Sequence, residues 1–237
     1  MTPPPSHRAL EDGFGEIAGT LPATVGIAVA RPGRADVYSL GSWSVGVAWS
    51  TAKVPLAVAA LRNDHALAKD LVVKAITESD NPASEQLWSQ LGKPVDAARR
   101  VQAVIREAGD SATIVETQRL RPGYTAFGQT QWTLCGQAQF AANLANVPGS
   151  ATVVDLMKNL VAEHRWGLAR RGVAAKGGWG PELSAGYLVR QFGIVPTESG
   201  ECGVAIAANA PAFEAGVAAL DTLTDWLFDH LPELTRF

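Results

Sequence analysis

The chain has 237 residues, of which 47% are hydrophobic and 18% are charged, and its formal net charge is −3. This composition is typical of a globular protein with one large domain or two small ones. The charge balance argues against the basic stripe of a nucleic-acid-binding protein, and no apolar run reaches the roughly 18 residues that a membrane helix needs. We therefore expect no nucleic-acid partner.

The amino-terminal region is predicted to be a lead segment followed by a hairpin. Residues 1–20 begin with "MTPPPSHRAL", which has no apolar signal-peptide core, and we expect this lead to be partly disordered. Two β-rich runs between Ala23 and Ser42 then flank "RPGRAD", a turn rich in Pro, Gly and Asp. This pattern predicts an antiparallel hairpin at the start of a single domain over residues 21–237.

A helical block occupies the middle of the chain. The segment "VDAARRVQAVIREAGD" has helical apolar spacing and ends at Gly109. Residues 113–130 are polar and irregular, which predicts a loop, and two further helices are expected after it. The predicted helical lobe therefore covers residues 50–169.

Strand patterns return near the end of the chain. The runs "GVAAKGGWG", "SAGYLVRQFGIV" and "ECGVAIAANA" are β-rich, and an amphipathic helix follows them. We therefore predict an α/β (α+β) fold of two lobes. An antiparallel sheet with flanking helices is built from both chain ends, over residues 21–49 and 170–237, and the all-helical lobe is inserted between them. A cleft between the lobes is the expected place for a small-molecule site.

Histidine and cysteine positions match no metal or redox pattern. The four histidines stand singly, and Cys135 and Cys202 lie far apart, so we expect no metal and no cofactor. Two buried free thiols and a disulfide remain alternative states of the cysteines. No pattern encodes the oligomeric state, and a monomer is the simplest expectation.

Three short polar clusters carry the candidate chemistry, and the first is "STAK" at residues 50–53. At an i, i+3 spacing, Ser50 and Lys53 share one face of a helix. A serine at a helix amino terminus can attack a carbonyl while nearby backbone N–H groups hold the developing oxyanion. The structural alternative is an N-cap serine with a solvent-facing lysine.

The second cluster is "SDN" at residues 79–81, followed by Pro82. In a functional interpretation, the Ser79 hydroxyl passes a proton and the Asn81 amide binds the substrate. In the structural alternative, Asn81 is a helix N-cap and Pro82 takes the first helical position.

The third cluster is Lys176, Gly177 and Gly178, on a predicted strand. Glycines weaken a strand and often mark the close approach of a ligand. Lys176 would place a positive charge near Ser79 and a substrate carboxylate. The alternative is a bulge with an exposed lysine.

Together the three clusters resemble the S-x-x-K, S-D-N and K-T-G set of class A β-lactamases and penicillin-binding proteins, in the same order and on the same kinds of element. The resemblance covers nearly the whole chain. "GIAVARPGRADVYSLGS" is similar to the family's opening hairpin, and "KGGWGPELSAGYLVRQFGIV" is similar to its K-T-G strand and the strand after it. A β-lactamase/transpeptidase-like fold is therefore implied.

This resemblance also implies a mechanism. Ser50 would attack an amide or lactam carbonyl, Lys53 would take its proton, and Ser79 would pass a proton to the leaving nitrogen. The backbone N–H groups of Ser50 and Trp179 would form the oxyanion hole. The substrate would be held by five residues: Asn81, Lys176, Gly177, Gly178 and Trp179.

The sequence departs from the family pattern at positions that bear on substrate and turnover. Glu116 falls near the position of the family's water-activating glutamate, although the residues after it differ, so it is either that base or a solvated loop carboxylate. Gly177 replaces a hydroxyl-bearing residue, and Ala185 stands where many members carry a carboxylate-binding arginine. Three arginines are candidates to replace it: Arg165, Arg170 and Arg190.

The leading expectation is a serine hydrolase that forms an acyl-enzyme on Ser50 with a β-lactam or a related amide or cell-wall peptide. If Glu116 positions water, the acyl-enzyme turns over as in a β-lactamase. Without that water, the protein is a peptidoglycan peptidase-type, penicillin-binding enzyme with slow deacylation. A non-catalytic cell-envelope protein that retains the fold is the third alternative. The resemblance implies an extracytoplasmic location, whether secreted, periplasmic or lipid-anchored.

Overall fold

A computed structural model describes residues 7–182, 185–198 and 200–236 of the chain. Helices and an antiparallel sheet make up this part of the chain, which confirms the predicted α/β class. The helices are α1 (His7–Thr20), α2 (Lys53–Asn63), α3 (His65–Thr77), α4 (Asn81–Gln90), α5 (Pro94–Glu107), α6 (Leu134–Leu144), α7 (Ala151–Met157), α8 (Phe213–Asp229) and α9 (Leu231–Leu234). Short 3₁₀ helices cover Trp49–Ala52, Phe127–Gln129, Ala162–His164 and Gly167–Arg171.

The main sheet joins the two ends of the described chain. Its strands are β1 (Thr24–Ala30), β2 (Val37–Gly41), β5 (Ala174–Pro181), β6 (Tyr187–Thr197) and β7 (Gly200–Ala210). They pair antiparallel in the order β2-β1-β7-β6-β5, so the predicted hairpin β1–β2 adds to the carboxy-terminal strands through β7. A separate pair links β3 (Val45–Val47) to β4 (Gln131–Thr133) beside the cleft.

The two faces of the sheet bury different side chains. Along β7, Val204 and Ile206 enter a hydrophobic cluster with α8, whereas Ala205 and Ala207 enter the cluster that contains α6. This alternation follows from the two-residue period of a strand. The small residues let α6 approach closely, because a Cβ atom on Gly203 would lie 2.1 Å from the Ala138 carbonyl oxygen. Helix α6 therefore packs on the sheet, although its residues fall within the range predicted for the helical lobe.

The amino-terminal segment differs from the expected lead in its described part. Residues 7–20 form α1, whose Leu10 and Phe14 side chains are buried with the α8 cluster. The Phe14 ring lies 5.2 Å from the Trp226 ring, in an edge-to-face contact. The helix was not predicted, because the segment opens with polar residues and prolines. Its buried side chains, Leu10 and Phe14, lie one helical turn apart.

Candidate active site

Ser50 lies on a tight turn between the sheet lobe and helix α2. The turn is the 3₁₀ helix Trp49–Ala52, and Ala52 rather than Ser50 precedes the first residue of α2. Trp49 adopts a left-handed backbone conformation with φ of 50°, which is unfavourable for a bulky side chain. The Ser50 hydroxyl therefore caps no helix, and it lies in the cleft between the lobes.

A buried arginine on β6 is connected to this turn by hydrogen bonds. Arg190, on β6, is fully buried, and its Nε donates a hydrogen bond to Gln137 Oε1 at 3.1 Å. Gln137 Nε2 in turn donates to Thr51 Oγ1 at 2.7 Å, directly after Ser50. The other guanidinium donors bind three backbone carbonyls beside the turn, those of Gly46, Val47 and Trp132. Sequence reasoning missed this network, since its members are scattered along the chain.

Lys53 is buried beside Ser79 and Asn81. Its side chain is 1% exposed, and Nζ donates to Asn81 Oδ1 at 2.7 Å, to Ser79 Oγ at 3.3 Å and to the Ser79 carbonyl. Burial lowers the pKa of Lys53 to about 7, and the nearby Asp80 carboxylate opposes this shift. The structural alternative of a solvent-facing lysine is therefore wrong.

The second cluster is bent toward Lys53 by an unusual backbone conformation. Ser79 has a φ of 56°, in the left-handed region, and Asp80 rather than Asn81 caps α4 by accepting a hydrogen bond from the Ala83 N–H at 2.6 Å. The predicted N-cap thus lies one residue earlier than expected. This arrangement frees the Asn81 amide to contact Lys53.

The third cluster brings a second lysine to Ser79. Lys176 is 1% exposed, and its Nζ donates to Ser79 Oγ at 2.9 Å and to the Gly177 carbonyl at 3.1 Å. Burial, and then the charge of Lys53, lower the pKa of Lys176 well below its ordinary value. The exposed bulge lysine is not observed, and Ser79 lies between two buried amines.

Gly178 lets strand β5 approach the turn that carries Ser50. A Cβ atom at position 178 would lie 2.8 Å from the backbone nitrogen of Ser50 and 2.8 Å from the Ala48 carbonyl oxygen. Only a glycine allows this approach without displacing the turn. The backbone of Trp179, the next residue on β5, is therefore held close to Ser50.

The cleft around Ser50 has a volume of about 280 Å³, and its lining combines polar side chains with an aromatic wall. Its aromatic wall consists of four side chains: Trp49, Tyr124, Trp179 and Tyr187. The Trp49 and Tyr124 rings meet at 5.0 Å, and the Arg121 guanidinium lies 4.7 Å from the Tyr124 ring. Arg121 also donates to the Pro181 carbonyl at 2.8 Å, which ties the loop to β5. Sequence reasoning identified only Trp179 of this wall, and there only its backbone.

Glu116 lies in the predicted loop but binds its own backbone. Its Oε1 accepts hydrogen bonds from the N–H groups of Thr117 and Gln118, each at 2.8 Å. The described residues that line the cleft do not include Glu116. Hydrogen bonds join Lys53, Ser79, Asn81 and Lys176, and Ser50 lines the same cleft as Ser79 and Asn81. Glu116 takes part in neither arrangement.

The three arginines considered as carboxylate ligands are held elsewhere. Arg190 is fully buried and binds Gln137 and three backbone carbonyls. Arg165 Nε donates to the Leu160 carbonyl at 2.7 Å. Arg170 forms ion pairs with Asp221 and Asp225. None of the three lines the cleft among the described residues.

The described residues carry neither a candidate metal site nor a membrane-spanning helix. Within residues 7–182, 185–198 and 200–236, no group of three or more His, Cys, Asp or Glu side chains is placed to hold a metal ion. In the same ranges, no helix combines the length and apolarity needed to cross a bilayer. Cys135 and Cys202 are free thiols, so the disulfide alternative is not observed.

The fold is similar to that of solved β-lactamases and a penicillin-binding protein. TLA-3 extended-spectrum β-lactamase matches with a TM-score of 0.70 at 14% identity, over 94% of this chain and 99% of its own. A β-lactamase from Sphaerobacter thermophilus matches with a TM-score of 0.67 at 19% identity, over 92% and 96%. A mutant of PBP-A, solved as an acyl-enzyme complex with penicillin G, matches with a TM-score of 0.72 at 16% identity, over 98% and 100%.

These similarities define the class of fold. The chain has a divergent β-lactamase-like fold over nearly its whole length, as the three motifs predicted. No protein-family model matches the chain, and a search of curated proteins found no match. At 14–19% identity this similarity establishes the fold alone, because one fold can serve different activities.

Proposed function

We propose that the protein is a serine hydrolase that forms an acyl-enzyme on Ser50 with a β-lactam or a related amide, ester or cell-wall peptide. The observation that carries the proposal is the buried chain of polar atoms from Lys53 through Ser79 to Lys176. Burying two amines around one hydroxyl costs folding free energy. Such clusters of buried titratable groups are typical of sites that transfer protons.

The proposed chemistry follows from the protonation state of Lys53. A lysine can accept a proton only when it is neutral, and a pKa of about 7 leaves much of Lys53 neutral near physiological pH. Neutral Lys53 takes the proton of Ser50 as its Oγ attacks the carbonyl. Ser79 then delivers a proton to the leaving group, with Lys53 and Lys176 on either side of its hydroxyl. The N–H groups of Ser50 and Trp179 hold the oxyanion.

We further propose that deacylation is slow. A water-activating base must reach the acyl-enzyme, but the Glu116 carboxylate binds the N–H groups of its own loop. The role of Glu116 as the water-activating base stays a prediction. Its hydrogen bonds to the N–H groups of Thr117 and Gln118 favour a structural role in the loop. The protein then behaves as a penicillin-binding, peptidase-type enzyme whose acyl-enzyme is long-lived. From the family resemblance we propose an extracytoplasmic site of action.

A labelling experiment tests the nucleophile. The protein is incubated with a fluorophosphonate and, separately, with a fluorescent penicillin, and the adduct is mapped by peptide mass spectrometry. We expect an adduct on Ser50 that is absent from Ser50→Ala and persists for many minutes after removal of the penicillin. The absence of any Ser50 adduct with either probe, in protein shown to be folded by circular dichroism, would favour a non-catalytic protein that retains the fold.

A further inference from the structure

The strand position next to Lys176 is packed against a tryptophan. A Cβ atom at position 177 would lie 2.5 Å from the Trp166 ring, and Trp166 itself is 6% exposed. The ring is held in an aromatic cluster, 5.9 Å from Trp179 and 6.3 Å from Phe213. A hydroxyl-bearing side chain at position 177 therefore has no room, because the tryptophan fills the space next to the strand.

The positive charge nearest to Ser79 is turned inward. Lys176 Nζ donates to Ser79 Oγ and to the Gly177 carbonyl, and its side chain is almost fully buried. Lys53 is equally buried and binds Ser79 and Asn81. Neither lysine lines the cleft, so a carboxylate on its surface reaches these amines only past Ser79 and Asn81.

The surface of the cleft carries a negative charge instead. Among the described residues that line it, the charged one is Glu78, and its side chain is exposed. The remaining surface includes the aromatic wall of Trp49, Tyr124, Trp179 and Tyr187. Arg121 contacts two of these rings and donates to the Pro181 carbonyl. A carboxylate on the surface of the cleft would therefore meet aromatic faces and the like charge of Glu78, whereas the two lysines lie behind Ser79 and do not line the cleft.

We infer that this cleft selects acyl donors that carry no free carboxylate beside the scissile bond, that is, neutral esters or amides with an apolar leaving group. The inference rests on the proposed role of Ser50. In the reaction, the Ser50 oxygen forms a bond to the acyl carbon, the bond from that carbon to the leaving oxygen or nitrogen breaks, and the serine proton ends on the released alcohol or amine. No further reactant is needed.

A matched pair of substrates tests this selection. Penicillin G and its methyl ester differ only in the carboxylate on the leaving-nitrogen side, and the second-order rate of Ser50 acylation by each is measured by intact-protein mass spectrometry. We expect the methyl ester to react at least about tenfold faster, since a poorly met carboxylate is costly to bury. Equal rates, a faster free acid, or an unreactive ester in protein whose Ser50 takes the fluorophosphonate would overturn the inference.

Two variants show which residues carry the selection. In Trp166→Ala/Gly177→Thr, the space beside Lys176 is opened and a hydroxyl is supplied, so the ratio of ester rate to acid rate should fall severalfold. Glu78→Gln, at an exposed position, keeps the tryptophan in place and should raise the rate of the free acid by a smaller factor that shrinks with added salt. An unchanged ratio in folded Glu78→Gln and in the double variant contradicts the proposed cause.

The fluorophosphonate separates the two levels of the proposal. It reports on the nucleophile without a carboxylate, so failure to label Ser50 refutes the proposed function itself. Labelling of Ser50 together with a preference for the free acid refutes only the selection.

Discussion

The two sides of the cleft differ in their chemistry. On the polar side, Lys53, Ser79, Asn81 and Lys176 form one connected network of hydrogen bonds. On the other side, the aromatic wall lines the cleft, and the Trp166 ring fills the space next to Gly177. If Ser50 is the nucleophile, activation of the serine and choice of its substrate depend on different side chains and can be altered separately.

The largest expected effect is on the polar side. Lys53→Met should lower the rate of Ser50 acylation by about 10³-fold, because the substituted side chain accepts no proton and leaves Asn81 unpaired. Lys176→Met should cost less, about 10²-fold, because Lys176 reaches Ser50 only through Ser79. The measurement is the fluorophosphonate labelling rate of each variant. An equal loss in both variants would show that the two amines are not distinguished in this way.

The buried arginine below the turn should matter mainly for stability. Arg190→Met removes four hydrogen bonds to buried oxygen acceptors, and we expect the free energy of unfolding to fall by about 3 kcal/mol or more. Urea denaturation followed by circular dichroism measures this loss. Arg170→Met, which removes a partly exposed ion pair with Asp221 and Asp225, is the matched control and should cost much less. Equal losses in the two variants would show that the buried hydrogen bonds of Arg190 stabilise the fold no more than a surface ion pair does.

Substitution at Gly177 tests the aromatic side directly. Gly177→Ser should destabilise the protein by about 1–3 kcal/mol, because the new Cβ atom collides with the Trp166 ring. When Trp166→Ala removes the ring, the collision is absent. Serine and glycine at position 177 should then give nearly the same free energy of unfolding. Thermal unfolding of the four proteins gives the coupling, and strict additivity would mean that the ring does not exclude the side chain.

The buried lysines should also make stability depend on pH. The folded-state pKa of Lys53 is lowered to about 7, whereas the unfolded-state value is the ordinary 10.5, so the unfolded chain binds more protons above pH 7. The free energy of unfolding should therefore rise between pH 7 and 8.5, by an amount on the order of 1 kcal/mol. Lys176 contributes in the same direction. A smaller rise in Lys53→Met is expected, and an identical rise would assign the effect to other groups.

The smallest expected effect is at Glu116. Glu116→Gln keeps an oxygen that can accept from Thr117 and Gln118, so both acylation and deacylation should change by less than about twofold. The lifetime of the penicillin adduct is the measurement. A lifetime prolonged by an order of magnitude would instead restore Glu116 as the base that activates water.

Much of the polar side could be predicted from the sequence because its residues are close neighbours within short motifs. The order of the three clusters was sufficient to predict that Lys53, Ser79, Asn81 and Lys176 meet, with Ser50 on the same cleft, while their catalytic roles stay predictions. The hairpin and the sheet of both chain ends followed from strand periodicity and turn residues. The sequence also showed that Gly177 departs from the family motif, but not that the Trp166 ring occupies the space of a side chain there.

The aromatic side and the Arg190 network could not be predicted, since both depend on contacts between distant parts of the chain. Trp166 and Gly177 are separated by 11 positions, and Arg190 meets Gln137 across 53. A single arginine in "LVRQFGIV" gives no sign that it will be buried among carbonyls. The apolar positions of α1 were hidden by a polar and proline-rich opening. Tertiary packing decided each of these features.

The pH dependence of Ser50 labelling tests the central claim most directly. If Lys53 is the base, the fluorophosphonate labelling rate should rise with pH and level off, with a midpoint near 7 that reports the lowered pKa of Lys53. The midpoint should vanish in Lys53→Met and remain in Glu116→Gln. A rate that is flat between pH 5.5 and 8.5, or a midpoint that survives the loss of Lys53, would contradict the account.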